Sequence, residues 1–155
     1  MTALHAGCEL RSMTDADLPA VLGIERVAQP TPWSMEIFRD CFKSHYDCRV
    51  IVRDVNIVGF VVLSSVLDEV HLLNIAVIPA MQRRGLAWAV LREVIPEYVA
   101  RGMRYMYLEV RESNHGARAL YEHIGFNAAG LRRNYYLTRD GREDAVLMML
   151  DLSAM

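Results

Sequence analysis

Gln82-Arg83-Arg84-Gly85-Leu86-Ala87 is the segment of this chain best suited to hold an anion. It falls between an apolar, strand-like run and a run with helical spacing that starts near Leu86. The first turn of a helix carries N–H groups without intrahelical partners and a partial positive charge, so it can seat a phosphate. Gly85 and Ala87 leave the backbone open to phosphate oxygens, and Arg83 and Arg84 add charged donors. The segment is no Walker loop, for it lacks Gly-Lys-Ser/Thr. It is no Rossmann fingerprint either, because only one of three glycines is present. Taken alone, it reads equally well as a solvated helix cap.

Other chemistry is harder to build. His5, His45, His71, His115 and His123 form no His-Glu-x-x-His and no His/Cys spacing that suits zinc, so no metal is expected. Cys8, Cys41 and Cys48 are odd in number and lack a C-x-x-C, which argues against a disulfide framework.

The length of 155 residues suits a single domain spanning 1–155. With 53% hydrophobic and 23% charged residues, global disorder is excluded. A net charge of -2 supplies no global positive field for nucleic acid, and Arg132-Arg133 is its sole local support. The longest uncharged apolar run, Ile57 to Leu67, is too short for a bilayer span of roughly 20 residues. Met1 to Cys8 shows no basic segment followed by an apolar core. The expectation is a cytoplasmic protein with no membrane contact.

Periodicity orders the elements. Cys8 to Ser12 reads as a strand. Thr14 and Asp17 form a Thr-x-x-Asp capping pattern before the helical spacing Leu18, Val21, Leu22 and Glu25, which ends before Pro30. Ser34 caps a second helix with Ile37, Phe38, Cys41 and Phe42 as its stripe. Arg49–Arg53 and Ile57–Ser65 read as a hairpin. Val70–Ile78 is a strand whose two faces (His71, Leu73, Ile75, Val77 and Leu72, Asn74, Ala76) are both largely apolar, so it is placed centrally. A long helix follows from Leu86 to about Arg101, with a kink or early end expected at Pro96 and a stop at Gly102. Arg104–Val110 is a strand. Asn114 begins a helix carrying Ala117, Leu120, Tyr121 and Ile124, closed by Gly125. Leu131–Thr138 and Glu143–Leu152 form a last hairpin around Asp140-Gly141. The order is that of a mixed α/β sheet protein.

The anion loop does not stand alone. Asn74-Ile75-Ala76-Val77 precedes it. Leu108-Glu109-Val110-Arg111-Glu112-Ser113-Asn114 and Ala119-Leu120-Tyr121-Glu122-His123-Ile124-Gly125-Phe126 follow. This ordered set resembles the GNAT superfamily of acetyl-CoA-dependent N-acetyltransferases, whose loop pattern is Gln/Arg-x-x-Gly-x-Gly/Ala. Pro32-Trp33-Ser34, Arg132-Arg133-Asn134-Tyr135-Tyr136 and Asp140-Gly141-Arg142-Glu143-Asp144-Ala145 narrow the likeness to the bacterial ribosomal-protein-alanine N-acetyltransferases. The resemblance implies a mixed, mostly antiparallel central sheet of about seven strands flanked by about four helices. It implies that Ile75, Ala76 and Val77 line acetyl-CoA, and that Arg83, Arg84, Gly85, Leu86, Ala87 and Trp88 hold its pyrophosphate. Trp88 departs from the pattern, which has a smaller or basic residue there. Asn114 is matched to the pantetheine arm, Glu109 to the general base and Tyr121 to the general acid. Trp33, Tyr135 and Tyr136 are the acceptor candidates, with at most one of the two tyrosines facing the site by alternation. The implied partner is the N-terminus of a small-subunit ribosomal protein.

The chemistry is consistent with those roles. A peptide α-amine has a pKa of roughly 7.7–8.0, so about a tenth is neutral at pH 7, against well under a thousandth of a lysine at about 10.4. One carboxylate acting through water then suffices as base, and a phenol can donate to the departing sulfur. Three other readings stay open: transfer to other N-termini, lysines or small amines; a non-catalytic CoA-binding module; and a nucleic-acid module. Glu109 also reads as a solvent-facing carboxylate paired with Arg111 or Arg118, and Tyr121 as a core tyrosine.

Overall fold

The first helix begins where Arg11 reaches Asp17. A computed structural model describes residues 2–4, 7–83 and 85–155. In it the Thr14 backbone N–H donates to Asp17 Oδ2 at 2.7 Å, and Arg11 donates to both carboxylate oxygens at 2.8 and 2.9 Å. A 3-10 turn over Asp15–Asp17 then opens α1, Leu18–Ala28. The remaining helices are α2 Met35–Lys43, α3 Leu86–Ala100 and α4 His115–Ile124. The strands are β1 Thr2–Ala3, β2 Cys8–Ser12, β3 Asp47–Arg53, β4 Asn56–Val66, β5 Glu69–Val77, β6 Tyr105–Arg111, β7 Asn127–Thr138 and β8 Gly141–Asp151. They lie in the order β1-β2-β3-β4-β5-β6-β8-β7.

The chain divides into two units, residues 1–64 with 73–94 and residues 65–72 with 95–155. In the first, β2, β3 and β4 pair antiparallel, and β3 and β4 present Cys48, Val50, Val52, Phe60 and Val62 to a core shared with Leu18, Val21, Leu22 and Ile24 of α1 and Phe38 and Cys41 of α2. Trp33, Phe38 and Phe60 pack edge to face, with centroids 5.2 and 5.5 Å apart. Ser34 caps α2 by accepting from the Ile37 N–H at 3.3 Å. All three cysteines are buried.

In the second unit β5 and β6 run parallel, with Glu69 opposite Tyr105 and Leu72 opposite Leu108. A parallel neighbour needs a crossover, which α3 supplies. Antiparallel β8 continues from β6, placing Met106, Leu108 and Val110 opposite Leu150, Met148 and Val146; all six are buried. Asn114 caps α4 by accepting from the Ala117 N–H at 3.2 Å.

Several expectations need correction. The mixed, mostly antiparallel sheet with four helices is as expected, and where about seven strands were expected the described residues form eight, the two-residue β1 being too short to carry an alternation pattern. Ile37 is 42% exposed: a nine-residue helix buries one stripe, and Phe38 and Cys41 occupy it. Only one face of β5 is well buried. Val70, Leu72, Asn74 and Ala76 are covered, while Leu73 is 40% exposed, since an apolar side chain states a preference without supplying a layer to cover it. Helix α3 runs through Pro96 without ending early. Pro96 and Arg92, whose carbonyl loses its helical donor, both lie at exposed positions of the helix. Strand β7 starts at Asn127, four positions before the first residue of the expected strand.

The Arg11–Asp17 pair has a pH signature. Hydrogen bonds from Arg11 hold the Asp17 carboxyl at about 2, against the opposing effect of its burial. A depressed folded value means stability that is present above the unfolded value of about 3.9 and is lost as pH falls through the folded one. Arg11→Gln should therefore cost roughly 1–2 kcal/mol at neutral pH, discounting for solvent at Arg11. The gap to wild type should close as pH falls from about 4 to 2. Urea unfolding across that range checks both.

Candidate active site

In the first unit the anion loop hangs from the end of β5. Ile78 N–H donates to Val58 O at 2.8 Å, a 3-10 turn spans Pro79–Met81, and the Gln82 side-chain amide donates back to Val77 O at 3.1 Å. Arg83 and Gly85 then take left-handed φ values of +61° and +75°. Gly85 does so without cost, whereas Arg83 carries the penalty of a Cβ there. The Ala89 N–H makes a helical bond to Gly85 O at 2.9 Å, which leaves the N–H groups of Leu86, Ala87 and Trp88 in the unpaired first turn. Leu86 is buried, Ala87 and Trp88 are half-buried, and Arg83 is exposed. Arg92, one turn on, stacks over the Trp88 ring at 4.6 Å, so Trp88 is occupied by packing along its own helix. Arg84 lies outside the described residues.

Ile75, Ala76 and Val77 end β5 beside β4. Gly59 is what permits the approach: a Cβ there would lie 2.7 Å from Ala76 O and 2.8 Å from Ile51 Cδ1.

In the second unit the register collects side chains on one face. Glu109 of β6 opposes Leu147 of β8, and Arg111 opposes Ala145. Ala145 in turn opposes Arg132 of β7, and Glu143 opposes Tyr136. The register slips between Arg132 and Tyr136, where β7 carries extra residues. Asn134 sits in the slip with φ +53°, held by a bond from its N–H to Asp144 Oδ1 at 2.9 Å. Arg132 and Tyr136 pair with Ala145 and Glu143, two residues apart on β8, so both face the same way as Glu109.

Glu109 Oε1 pairs with Arg132 Nε at 3.1 Å, with side chains 24% and 58% exposed. The partner is thus Arg132, and neither Arg111 nor Arg118. Arg111 instead donates to Leu137 O at 2.8 Å and Glu143 Oε1 at 3.0 Å, and its guanidinium lies 4.5 Å over the Tyr136 ring. The ion pair is made through Oε1 of Glu109.

Tyr136 links the acid and base candidates. Burial, and then the charge of Glu109, pushes its phenol up to about 12. Tyr121 is buried on α4 against Phe126; burial, and then Tyr136, pushes it up to about 12 as well. Tyr136 is thus the electrostatic neighbour of both Glu109 and Tyr121. Tyr135 points outward, 47% exposed, with Arg132 over its ring at 5.2 Å. Asn114 Oδ1 is taken by its helix-capping bond, and among the described residues its amide N–H is left free to donate.

Trp33 belongs to the first unit. Its ring packs on Phe38, and its N–H donates to Glu25 Oε2 at 2.9 Å. Glu25 and Asn74, bonded at 3.1 Å, form a buried polar pair that the sequence reading did not assign to a site. The signal was there: Glu25 stands on the apolar stripe of α1, and Asn74 on an apolar face of β5.

Comparison with known proteins adds the following. The model of the acetyltransferase (GNAT) family matches residues 11–126. The chain is 44% identical to the ribosomal protein bS18-alanine N-acetyltransferase of Escherichia coli (strain K12), over 93% of this chain and 97% of that protein. The crystal structure of the ribosomal-protein-S18-alanine N-acetyltransferase from Escherichia coli superposes with a TM-score of 0.88 at 43% identity, covering 94% of each chain. A phosphinothricin acetyltransferase of the GNAT superfamily from Sinorhizobium meliloti, solved with AcCoA, shares the fold at a TM-score of 0.79 and 22% identity, covering 94% of this chain and 88% of that one.

Gly59→Ala tests the close approach at Ala76. Because one of the crowding atoms is a backbone carbonyl, the substitution should cost about 1–3 kcal/mol by chemical denaturation. An unchanged midpoint would show that β4 and β5 separate freely there.

Proposed function

The chain belongs to the acetyltransferase (GNAT) family, and on that premise we propose that it moves the acetyl group of acetyl-CoA to the N-terminal alanine α-amine of a ribosomal protein of the bS18 kind. The acceptor rests on the 44% identity to the Escherichia coli enzyme over nearly the whole of both chains. The chemistry rests on one observation: the β6–β8–β7 register sets Tyr136 on the face of Glu109, and Tyr136 is also the electrostatic neighbour of the buried Tyr121 phenol.

In this reading the pyrophosphate of acetyl-CoA takes the first-turn N–H groups after Gly85, with Arg83 adding charge. The strand end Ile75–Val77 lies along the thioester arm, and the free Asn114 amide N–H donates to a pantetheine carbonyl. The neutral amine nitrogen attacks the thioester carbonyl carbon. Its proton passes to Glu109 Oε2, directly or through one water, while Oε1 stays with Arg132. The carbon–sulfur bond breaks, and Tyr121 donates to the leaving sulfur. A phenol raised to about 12 keeps its proton throughout the neutral range, so it is always present as a donor. Tyr136, rather than the outward Tyr135, lies on the acceptor side.

Direct attack also agrees with the cysteines. Cys8, Cys41 and Cys48 are all buried, and burial raises each thiol, Cys48 to about 12. A thiol so placed is a poor nucleophile for an acetyl-enzyme.

Incubation with acetyl-CoA and a peptide starting with alanine should label the α-amine, read by mass spectrometry. Labelling that survives a blocked N-terminus and sits only on lysine would refute the acceptor. Glu109→Gln should retain acetyl-CoA binding and lose about 10²–10⁴ in kcat. Tyr121→Phe should fold normally and slow single-turnover transfer; wild-type turnover would remove the donor role.

A further inference from the structure

Glu25 is fully buried at 0% exposure, and among the described residues no cation pairs with it. Its carboxylate has two donors instead. Trp33 N–H reaches Oε2 at 2.9 Å, and Asn74 Nδ2 reaches Oε1 at 3.1 Å. Gln29 closes the group, its amide 3.5 Å from Asn74 Oδ1. Burying a carboxyl without a cation costs several kcal/mol, and an apolar residue of similar volume would fill the same space more cheaply. Burial accordingly raises the Glu25 carboxyl, with the two hydrogen bonds opposing.

The carboxylate joins three segments of the unit. One is α1. The second is the Pro30–Ser34 connection, whose two prolines hold it out of both helices and whose Trp33 is then wedged on Phe38. The third is β5, at the residue immediately before Ile75–Val77. Every one of these residues lies in the first unit.

We propose that Glu25 is a positioning residue that locks the Trp33 connection to β5, so that the first residues of the acceptor chain are guided against Ile75–Val77. The inference rests on the α-amine transferase reading and adds a determinant of acceptor binding to it. The α1–α2 connection supplies one wall for the acceptor, and Glu25 sets where that wall stands.

The test uses the full chain. Glu25→Met fills the volume and removes both bonds. It should raise KM for the alanine-starting peptide at least tenfold while KM for acetyl-CoA stays within twofold. Glu25→Gln can still accept from Trp33 N–H and can donate to Asn74 Oδ1 once that amide turns over. It should bring peptide KM back to within about threefold of wild type. Unchanged peptide KM in Glu25→Met, or both KM values rising together, would overturn the proposal. Should Glu25→Met fail to fold, Asn74→Ala carries the same test with the same split in KM. Amide exchange at Trp33 reads the lock without turnover. It should be slow in wild type and at least tenfold faster in Asn74→Ala, with the amides of α2 unaffected; equal rates would overturn the lock. Failure of wild type to acetylate the peptide would instead defeat the transferase reading and leave the exchange test standing.

Discussion

The register that sets Glu109 against Leu147 and Arg111 against Ala145 decides which side chains share a face with the carboxylate. Slide β8 by one residue and Arg132 and Tyr136 turn to the other side, since side chains alternate with period two. The bulge in β7 is part of the same constraint. Without the extra residues around Asn134, either Arg132 or Tyr136 could be in register with β8, but the other would be displaced. The bond from Asn134 N–H to Asp144 and the left-handed φ at Asn134 hold that slip in place. The Arg111–Glu143 pair, with side chains only 13% and 17% exposed, then stiffens the face at the edge.

Carboxylates are held in two ways. Asp17 has Arg11, Glu143 has Arg111 and Glu109 has Arg132. Glu25, the most deeply buried, is satisfied instead by the backbone N–H of Trp33 and the side-chain amide of Asn74. A carboxylate that is partly exposed and paired through one oxygen can meet an incoming amine. One held by neutral donors in a closed interior is suited to fixing geometry. That contrast is why Glu109 is read as chemistry and Glu25 as position.

Much of the fold was legible from local signals. Ser34 and Asn114 cap helices, and Asp17 accepts from the Thr14 N–H at the start of the first, because short polar side chains meet unpaired N–H groups, and that requirement is visible in the sequence. The stripe Leu86, Val90, Leu91, Val94, Ile95 and Tyr98 is buried throughout. What was not legible depends on partners distant in sequence. Nothing near Leu73 says that its face of β5 is left partly open, and nothing near Ile37 says that Phe38 and Cys41 fill the one stripe α2 can bury. For the candidate site, the sequence suggested Glu109 and Tyr121 only through resemblance. It could not show that Tyr136 stands beside both, nor that Arg132 pairs with Glu109, because both facts follow from the three-strand register and its bulge.

The account holds that amine and thioester meet in one complex, with transfer in a single step. The measurement closest to that claim is calorimetric binding of a bisubstrate compound, an alanine-starting peptide joined at its α-amine through an acetyl linker to the sulfur of CoA. It should bind at least about 100-fold more tightly than CoA or the peptide alone. Affinity no better than that of CoA would contradict the account, for it would mean that the two reactants are never held together.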